Sequence, residues 1–304
     1  MPVVRYASGG PRRVEWRRRL SVLVTCVALA CLHAHAATRN FMWKATGATG
    51  VVYLVGSVHL LTADYYPLDP AFEEAFKTAD LLVEELDMRE MLAPSSQLQM
   101  LTRGTLPAGQ TLDKVISPET LNAIVKKFSE LGMPIEPMKQ FKPWLVSLLL
   151  QGLEWQKAGF DADLGLDKHF YDIAVAQGKT VQGLETLSFQ LSQFDEMSMA
   201  MQDRLLAETL KELETTKTSF VHLADAWRVG DAPEIERIVL RDLKAEPQMY
   251  ERLLVSRNRT WLPKVEALFA RSKASFVVVG AAHLVGTDGL LQMLRAKGYT
   301  IEQL

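Results

Sequence analysis

The sequence predicts an α/β protein with a central, mostly parallel sheet and a large helical middle region. Continuous apolar runs rich in β-branched residues lie near both ends of the chain, at 51–55 and 275–279. Such runs are typical of strands that are buried on both faces. Between about 88 and 271 the apolar residues recur mostly with the helical period. We therefore expect N- and C-terminal βα segments to build the sheet and to flank a helical insert.

The first predicted strand is followed by a helix and a second strand. Asp69 and Pro70 form a typical helix start, with aspartate as the N-cap and proline in the first turn, and the helix should reach about Thr78. Residues 80–86 form the next strand. Two strands joined by one helix make a βαβ unit, whose strands should be parallel.

Start signals divide the middle region into helices. Ser117, Pro143 and Asp231 each begin a segment with helical periodicity. One strand, at 179–185, is expected to interrupt this region. The chain should close with a helix after the strand at 275–279 and a last strand near its end. No linker or low-complexity segment divides residues 37–304, so they are expected to form a single domain.

The first 36 residues have the pattern of a secretory signal. Several arginines between Arg5 and Arg19 precede an apolar run at 20–32, and Ala34 and Ala36 form a small-residue cleavage site. The apolar run is short for a membrane span, although an uncleaved anchor is the alternative interpretation. We expect cleavage after Ala36 and a periplasmic or secreted protein.

Cleavage would change the chemistry that is open to the protein. Both cysteines, Cys26 and Cys31, would leave with the signal, which excludes a cysteine hydrolase and a zinc-thiolate protein. The formal net charge of −2 includes the basic signal, so the mature chain is more acidic and presents no basic field for nucleic acid. The expected partner is a peptide or small-molecule substrate, with no nucleic acid and no stable membrane insertion. The oligomeric state stays open.

Four predicted strands end in residues that carry chemistry. One motif occurs twice, as Val-Gly-Ser-Val-His-Leu at 55–60 and as Val-Gly-Ala-Ala-His-Leu at 279–284. Each copy lies at the end of a predicted strand and places a histidine there, His59 or His283. Glu85 and Glu185 end two further strands. Ligands bind beyond the carboxyl ends of parallel strands, so these residues should meet in one crevice. Two imidazoles and one or two carboxylates suit a divalent metal ion that activates water, although its identity is not specified.

Several of these residues have a second interpretation. A single histidine after a strand is often structural, but the repeated motif favours a shared site. Glu84 and Glu85 must face opposite sides of a strand, and we choose Glu85. Glu185 could equally cap the next helix.

Glycines and a basic cluster extend the predicted site. Gly56 and Gly280 would let the chain turn sharply off each strand. The cluster that begins at Arg257 could bind an anionic group or could be a solvated helix start. His169 and His222 lie in helical segments and are expected to be structural or exposed.

Residues 51–304 resemble the TraB/GumN family. The resemblance is carried by Leu-Val-Gly-Ser-Val-His-Leu-Leu at 54–61, Leu-Leu-Val-Glu-Glu-Leu-Asp at 81–87, Lys-Pro-Trp at 142–144, Gly-Leu-Glu-Thr at 183–186, Ser-Arg-Asn-Arg at 256–259, and Val-Val-Val-Gly-Ala-Ala-His-Leu-Val-Gly at 277–286 with Asp-Gly-Leu after it. The family is similar to the Tiki-type metalloproteases and, more distantly, to the erythromycin esterases and the haem-binding ChaN-like proteins.

The resemblance implies a shared α/β core and a set of site residues. His59, Glu85 and His283 would be the main catalytic and metal-binding residues, and Glu185 and Arg257 would support them. Asp167, in Gly-Leu-Asp before a helix, is a weaker candidate. We therefore predict a secreted metal-dependent hydrolase, in particular a peptidase. The alternatives are a non-catalytic protein that binds haem or another ligand in the same cleft, and an accessory factor in exopolysaccharide production.

Overall fold

The computed structural model describes Met1 and residues 39–304, apart from residue 215. The predicted signal peptide and its cleavage site after Ala36 therefore lie outside the described residues. Within them, no helix is long and apolar enough to cross a membrane.

Six strands form one mixed sheet in the order β4–β3–β5–β2–β1–β6. They are β1 (Met42–Thr46), β2 (Val51–Ser57), β3 (Ala79–Leu86), β4 (Thr180–Glu185), β5 (Ala274–Gly280) and β6 (Thr300–Gln303). The pairings among β4, β3, β5 and β2 are parallel, whereas β1 is antiparallel to both of its neighbours. This confirms the predicted α/β class with a mostly parallel central sheet.

Helices occupy the connections, most of them between β3 and β5. The described α-helices are α1 (Pro70–Thr78), α2 (Met88–Met91), α3 (Pro94–Gly104), α4 (Leu112–Val115), α5 (Pro118–Glu130), α6 (Pro143–Lys157), α7 (Leu166–Ala176), α8 (Leu187–Asp195), α9 (Met199–Glu212), α10 (Thr216–Arg228), α11 (Ala232–Ala245), α12 (Pro247–Tyr250), α13 (Ser256–Leu268) and α14 (Leu290–Ala296). A π-helical turn, Glu251–Val255, leads into α13, and a 3₁₀ turn, Ala281–His283, follows β5.

Side-chain caps fix three of the predicted helix starts. Asp69, Ser117 and Asp231 each accept a hydrogen bond from a backbone N–H two or three residues later, at 2.9, 3.2 and 3.0 Å. A proline lies in the first turn of each of these helices, where its missing N–H costs nothing. Cap and proline together therefore set where α1, α5 and α11 begin.

Strand β1 was not predicted from the sequence. Met-Trp-Lys-Ala-Thr lacks a run of β-branched residues, so its local preference for a strand is weak. Its conformation is fixed by pairing, with Met42 opposite Val55 of β2 on one side and Trp43 opposite Gln303 of β6 on the other. Tertiary contacts therefore determine this strand.

The two faces of the sheet are covered by different helices. Phe276 of β5 contacts Phe76 of α1, with ring centroids 5.0 Å apart, and Phe170 of α7 at 4.7 Å. Glu84 lies opposite Val278, two residues beyond Phe276, and so it faces the same helices. Glu85 points to the other face, where its carboxylate meets α13.

Strand β5 lies between β2 and β3 in the sheet. These two strands and α1 form the predicted βαβ unit, and they run in the same direction, but they are not neighbours. The second histidine motif, which follows β5, is therefore placed between the first histidine motif and the end of β3. This strand order positions the candidate site.

Candidate active site

The four site residues that were predicted at strand ends meet at one edge of the sheet. His59 follows β2, His283 follows β5, Glu85 is the penultimate residue of β3 and Glu185 ends β4. These strands are consecutive neighbours and parallel, so their carboxyl ends share one edge. The structure brings all four together as expected, while their catalytic roles stay predictions.

The side chains of His59, Glu85 and His283 converge beside Gly280, and the space at this point is called the crevice below. A Cβ added to Gly280 would lie 3.2 Å from His59 Nε2, 3.1 Å from Glu85 Oε1 and 3.7 Å from His283 Cδ2. The φ of Gly280 is −50°, so glycine is present for space and not for a left-handed turn. Gly56 is also needed for space: its φ is not positive, and a Cβ there would lie 2.2 Å from a ring carbon of Phe41.

Glu85, and not Glu84, faces the crevice. Its Oε1 accepts the Gly280 N–H at 2.7 Å, and its Oε2 accepts Nη2 of Arg257 at 2.6 Å, with Gln190 Nε2 at 3.5 Å. Burial alone would raise the pKa of Glu85, but the Arg257 guanidinium, the two nearby imidazoles and the Gly280 N–H together outweigh burial and lower that pKa to about 2. Glu85 is therefore a carboxylate at any ordinary working pH.

Arg257 is the cation around which the buried part of the site is arranged. Its Nε and Nη2 donate to Glu185 at 3.2 and 2.7 Å, and Nη2 also donates to Glu85. Its Nη1 donates to the Leu253 carbonyl at 3.2 Å and lies 3.0 Å from Nε2 of His283. All five N–H groups of the guanidinium thus have partners. The predicted solvated helix start is wrong for this residue, because Arg257 lies inside α13 and is buried.

The contacts of His283 fix its tautomer. Because guanidinium nitrogens only donate, His283 Nε2 must accept from Arg257, and the ring proton must lie on Nδ1. Nδ1 donates to Asn258 Oδ1 at 2.7 Å, and the Asn258 amide is held by bonds from Nδ2 to the carbonyls of His283 and Asp288 at 3.2 and 2.8 Å. Burial lowers the pKa of His283 to about 3, although the Glu85 carboxylate opposes this shift. His283 is therefore neutral.

His59 is in the opposite electrostatic state. Its Nδ1 lies 2.8 Å from Oδ2 of Asp167, which also accepts a 2.5 Å hydrogen bond from Ser57 Oγ. The Asp167 carboxylate raises the pKa of His59 to about 9, and the desolvation of the part of the ring that packs against the protein opposes this shift. The side chain is 57% exposed, and its Nε2 faces the space at Gly280. Asp167, the weaker candidate from sequence, thus holds the more accessible of the two histidines.

Glu185 contributes to the site through its contact with Arg257. Its side chain is only 2% exposed, and it accepts hydrogen bonds from Arg257 and, at 3.0 Å, from the Trp261 indole. Burial raises its pKa, against the opposing effect of Arg257. It does not cap the following helix, because the cap of α8 is Thr186, which accepts the Phe189 N–H at 3.2 Å.

Sequence reasoning gave no role to Ser57 or Gln190 and named Asn258 only as part of the cluster that begins at Arg257; the structure adds all three to the site. Ser57 lies within the first histidine motif and Asn258 follows Arg257, so both were within reach of a motif argument. Gln190 carries no sequence signal. His169 and His222 lie apart from this site: the ring of His169 packs against aromatic neighbours, and His222 pairs with a surface glutamate at 3.0 Å.

Glu84 is a buried carboxyl that the site does not use. It is 1% exposed, and neither of its oxygens makes a hydrogen bond within the described part of the chain. Burial, followed by the nearby Asp167 charge, raises the pKa of Glu84 to about 9. The folded protein therefore holds a proton here that the unfolded chain releases near its ordinary pKa of 4.5.

We expect Glu84→Met to stabilise the protein, increasingly so as the pH rises. Between the unfolded and folded pKa values the native state binds more protons than the unfolded state, so wild-type stability falls with rising pH. The gain should be on the order of 1.4 kcal/mol for each pH unit above 4.5. Urea unfolding at pH 5 and pH 8 measures it, with the exposed Glu73→Met as the control. An equal effect of Glu84→Met at both pH values would contradict this assignment.

Comparison with known proteins places the chain in a family. The model of the TraB/PrgY/gumN family matches residues 41–303. The chain belongs to this family. Its relatives include YbaP of Escherichia coli, 29% identical over 80% of this chain and 87% of YbaP. They also include metalloprotease TIKI1 of Danio rerio, 21% identical over 82% of this chain and 60% of TIKI1. A protein of Treponema pallidum is 21% identical over 89% of the chain and 84% of its own length. No solved structure matches.

The predicted three-ligand metal site does not fit the arrangement of these residues. Both nitrogens of His283 are engaged, one as acceptor from Arg257 and one as donor to Asn258. Both oxygens of Glu85 accept hydrogen bonds. Of the three predicted ligands, His59 alone keeps a nitrogen that faces open space. Among residues 39–304, leaving out residue 215, no group of three or more histidine, cysteine, aspartate or glutamate side chains is arranged to hold a metal ion.

Proposed function

We propose that the protein is an exported hydrolase that cleaves peptide bonds at this crevice, and that His59 is the residue that exchanges protons with the reactants. One observation carries the proposal. The imidazole of His59 is held at Nδ1 by Asp167, while its Nε2 faces the small space bordered by Glu85 and Gly280. An imidazole oriented by a carboxylate, with the other nitrogen free, is the arrangement that general acid–base catalysis uses.

The residues support a simple sequence of proton movements. Neutral His59 takes a proton from a water molecule at Nε2, and that water attacks the scissile carbonyl carbon. Asp167 accepts the Nδ1–H throughout and stabilises the imidazolium that forms. The same Nε2–H then protonates the leaving nitrogen. Glu85 stays ionised beside this space, where its charge stabilises the imidazolium.

The name of one relative further supports a peptidase. The relative named metalloprotease TIKI1 cleaves peptide bonds according to its name, and it is similar to this chain over most of the described residues.

Peptide cleavage tests the proposal. The purified full-length protein is incubated with a complex peptide mixture in H₂¹⁸O, and new termini are detected by mass spectrometry. We expect the wild type and His169→Ala to produce ¹⁸O-labelled termini and His59→Ala to produce none. Cleavage by His59→Ala at the wild-type rate would overturn the role of His59. Ligand retention without any labelled product from the wild type would favour the binding-protein alternative.

The pH dependence of hydrolysis should report the His59–Asp167 pair. Since His59 must lose its proton to act as a base, kcat/KM should rise with pH through the His59 pKa, which is about 9. In Asp167→Asn the carboxylate charge is absent, so this rise should move towards the ordinary histidine pKa of about 6.5. A pH–rate profile of both proteins measures the shift. A rise at the same pH in both would contradict the pairing.

A further inference from the structure

In the buried part of the site, the carboxylates of Glu85 and Glu185 are paired with a cation that the chain itself provides, Arg257. Arg257 is 10% exposed and lies 2.6 Å from a Glu85 oxygen and 2.7 Å from a Glu185 oxygen. It also reaches His283 Nε2 at 3.0 Å. Two carboxylates and one imidazole nitrogen around a cation are the ligand types that a metalloprotease supplies to its metal ion. In this protein the Arg257 guanidinium makes the contacts that those ligands would make to a metal ion.

Displacing Arg257 would be costly in this environment. All five of its N–H groups are bonded, and a buried charged donor that loses its partners bears a large desolvation penalty. A divalent ion beside a retained guanidinium would meet a like charge within the same cluster, which is unfavourable in a buried site. His283 is held in the same way, because Asn258 fixes its Nδ1–H while Arg257 occupies its Nε2.

We infer that Arg257 is the permanent cation of this site, in the place that a metal ion takes in a metalloprotease, and that the crevice works without a divalent metal. The inference rests on this crevice being the working site of the proposed hydrolase. It also separates two roles. Arg257 has no N–H left for a substrate, so it positions Glu85 and His283, whereas His59 is left to face the reactants.

Metal binding can be measured without any substrate. The full-length wild-type protein is treated with a chelator and then titrated with Mn²⁺, Co²⁺ and Zn²⁺ by isothermal titration calorimetry. The same titration is performed with His283→Gln, which cannot offer the imidazole. We expect the two proteins to bind each metal identically, since any ion they take belongs elsewhere on the chain. A stoichiometric site in the wild type that His283→Gln lacks would overturn the inference.

A second variant should create the site that the wild type lacks. In Arg257→Ala the carboxylates of Glu85 and Glu185 and the Nε2 of His283 lose their cation, and we expect at least a tenfold gain in Zn²⁺ affinity. The gain should disappear in Arg257→Ala/His283→Gln. The control is Arg259→Ala, which removes an exposed arginine from the same helix and should gain nothing. Equal Zn²⁺ binding by folded Arg257→Ala and the wild type would count against the inference.

The titrations are independent of the cleavage assay. If Arg257→Ala does not fold, the comparison of the wild type with His283→Gln still decides the question. Peptide cleavage that resists a chelator would support both the proposed hydrolase and a site in which Arg257 is the permanent cation, called the arginine-centred site below. If the crevice residues bind no metal and the protein cleaves no peptide, the arginine-centred site would be supported and the proposed hydrolase activity would be refuted.

Discussion

Replacing Arg257 by methionine is expected to lower the free energy of unfolding by about 3–5 kcal/mol, the loss measured when one partner of a buried ion pair is removed. The substitution keeps much of the side-chain volume but leaves the Glu85 and Glu185 carboxylates without their cation. It also removes the donor to His283 Nε2. Urea unfolding followed by circular dichroism measures the change.

A matched set of variants separates the charge effect from packing. Arg259→Met on the same helix removes an exposed arginine, and its effect should stay within about 0.5 kcal/mol. Adding Glu85→Gln and Glu185→Gln to Arg257→Met should restore part of the stability, because no uncompensated carboxylate remains. If Arg257→Met is as stable as Arg259→Met, the guanidinium does not hold the site together.

Gly280→Ala is expected to reduce peptide hydrolysis by about 100-fold or more, as a displacement of reacting groups by about 1 Å can do. The new methyl would enter the space between His59 Nε2 and Glu85 Oε1, at 3.2 and 3.1 Å from these atoms. The backbone of Gly280 is already in a conformation that alanine adopts, so the fold should remain. Cleavage assays and thermal melting together measure both effects.

The control for this substitution is Gly152→Ala. Gly152 lies in α6 with no atom within 4 Å of an added Cβ, so alanine there should leave hydrolysis unchanged and favour the helix slightly. Full activity in folded Gly280→Ala would show that the reactants do not occupy the space at Gly280. The crevice would then have to be placed elsewhere along the strand ends.

The fold class and the meeting of four strand ends were predictable from the sequence. Buried parallel strands are typically apolar runs, and although β4 is only partly apolar, each of the four strands ends in or just before a residue with a distinctive side chain. The repeated Gly-x-x-His motif added the constraint that two of those ends should be alike. Because parallel strands place their carboxyl ends on one edge, their parallel direction was enough to predict that His59, Glu85, Glu185 and His283 share an edge, although their order in the sheet was not predicted.

The division of roles among these residues was not predictable. The choice of Glu85 over Glu84 depends on which face α13 covers, and no sequence period specifies that. The neutral tautomer of His283 depends on two partners from α13, Arg257 and Asn258, which lie 26 and 25 residues before it in the chain. Charge and burial act through these three-dimensional contacts, so a pattern that suits a metal ion can instead surround a guanidinium.

The protonation states of the two motif histidines test the central claim most directly. Long-range ¹H–¹⁵N spectra of the ¹⁵N-labelled full-length protein report both ring nitrogens, with assignments from His59→Ala and His283→Gln. We expect His283 to stay neutral with its proton on Nδ1 from pH 5 to pH 8, and His59 to titrate with a pKa of about 9. A His283 that titrates near the ordinary value of about 6.5, or a His59 that is neutral at pH 7, would contradict the arginine-centred site and its separate, aspartate-held histidine.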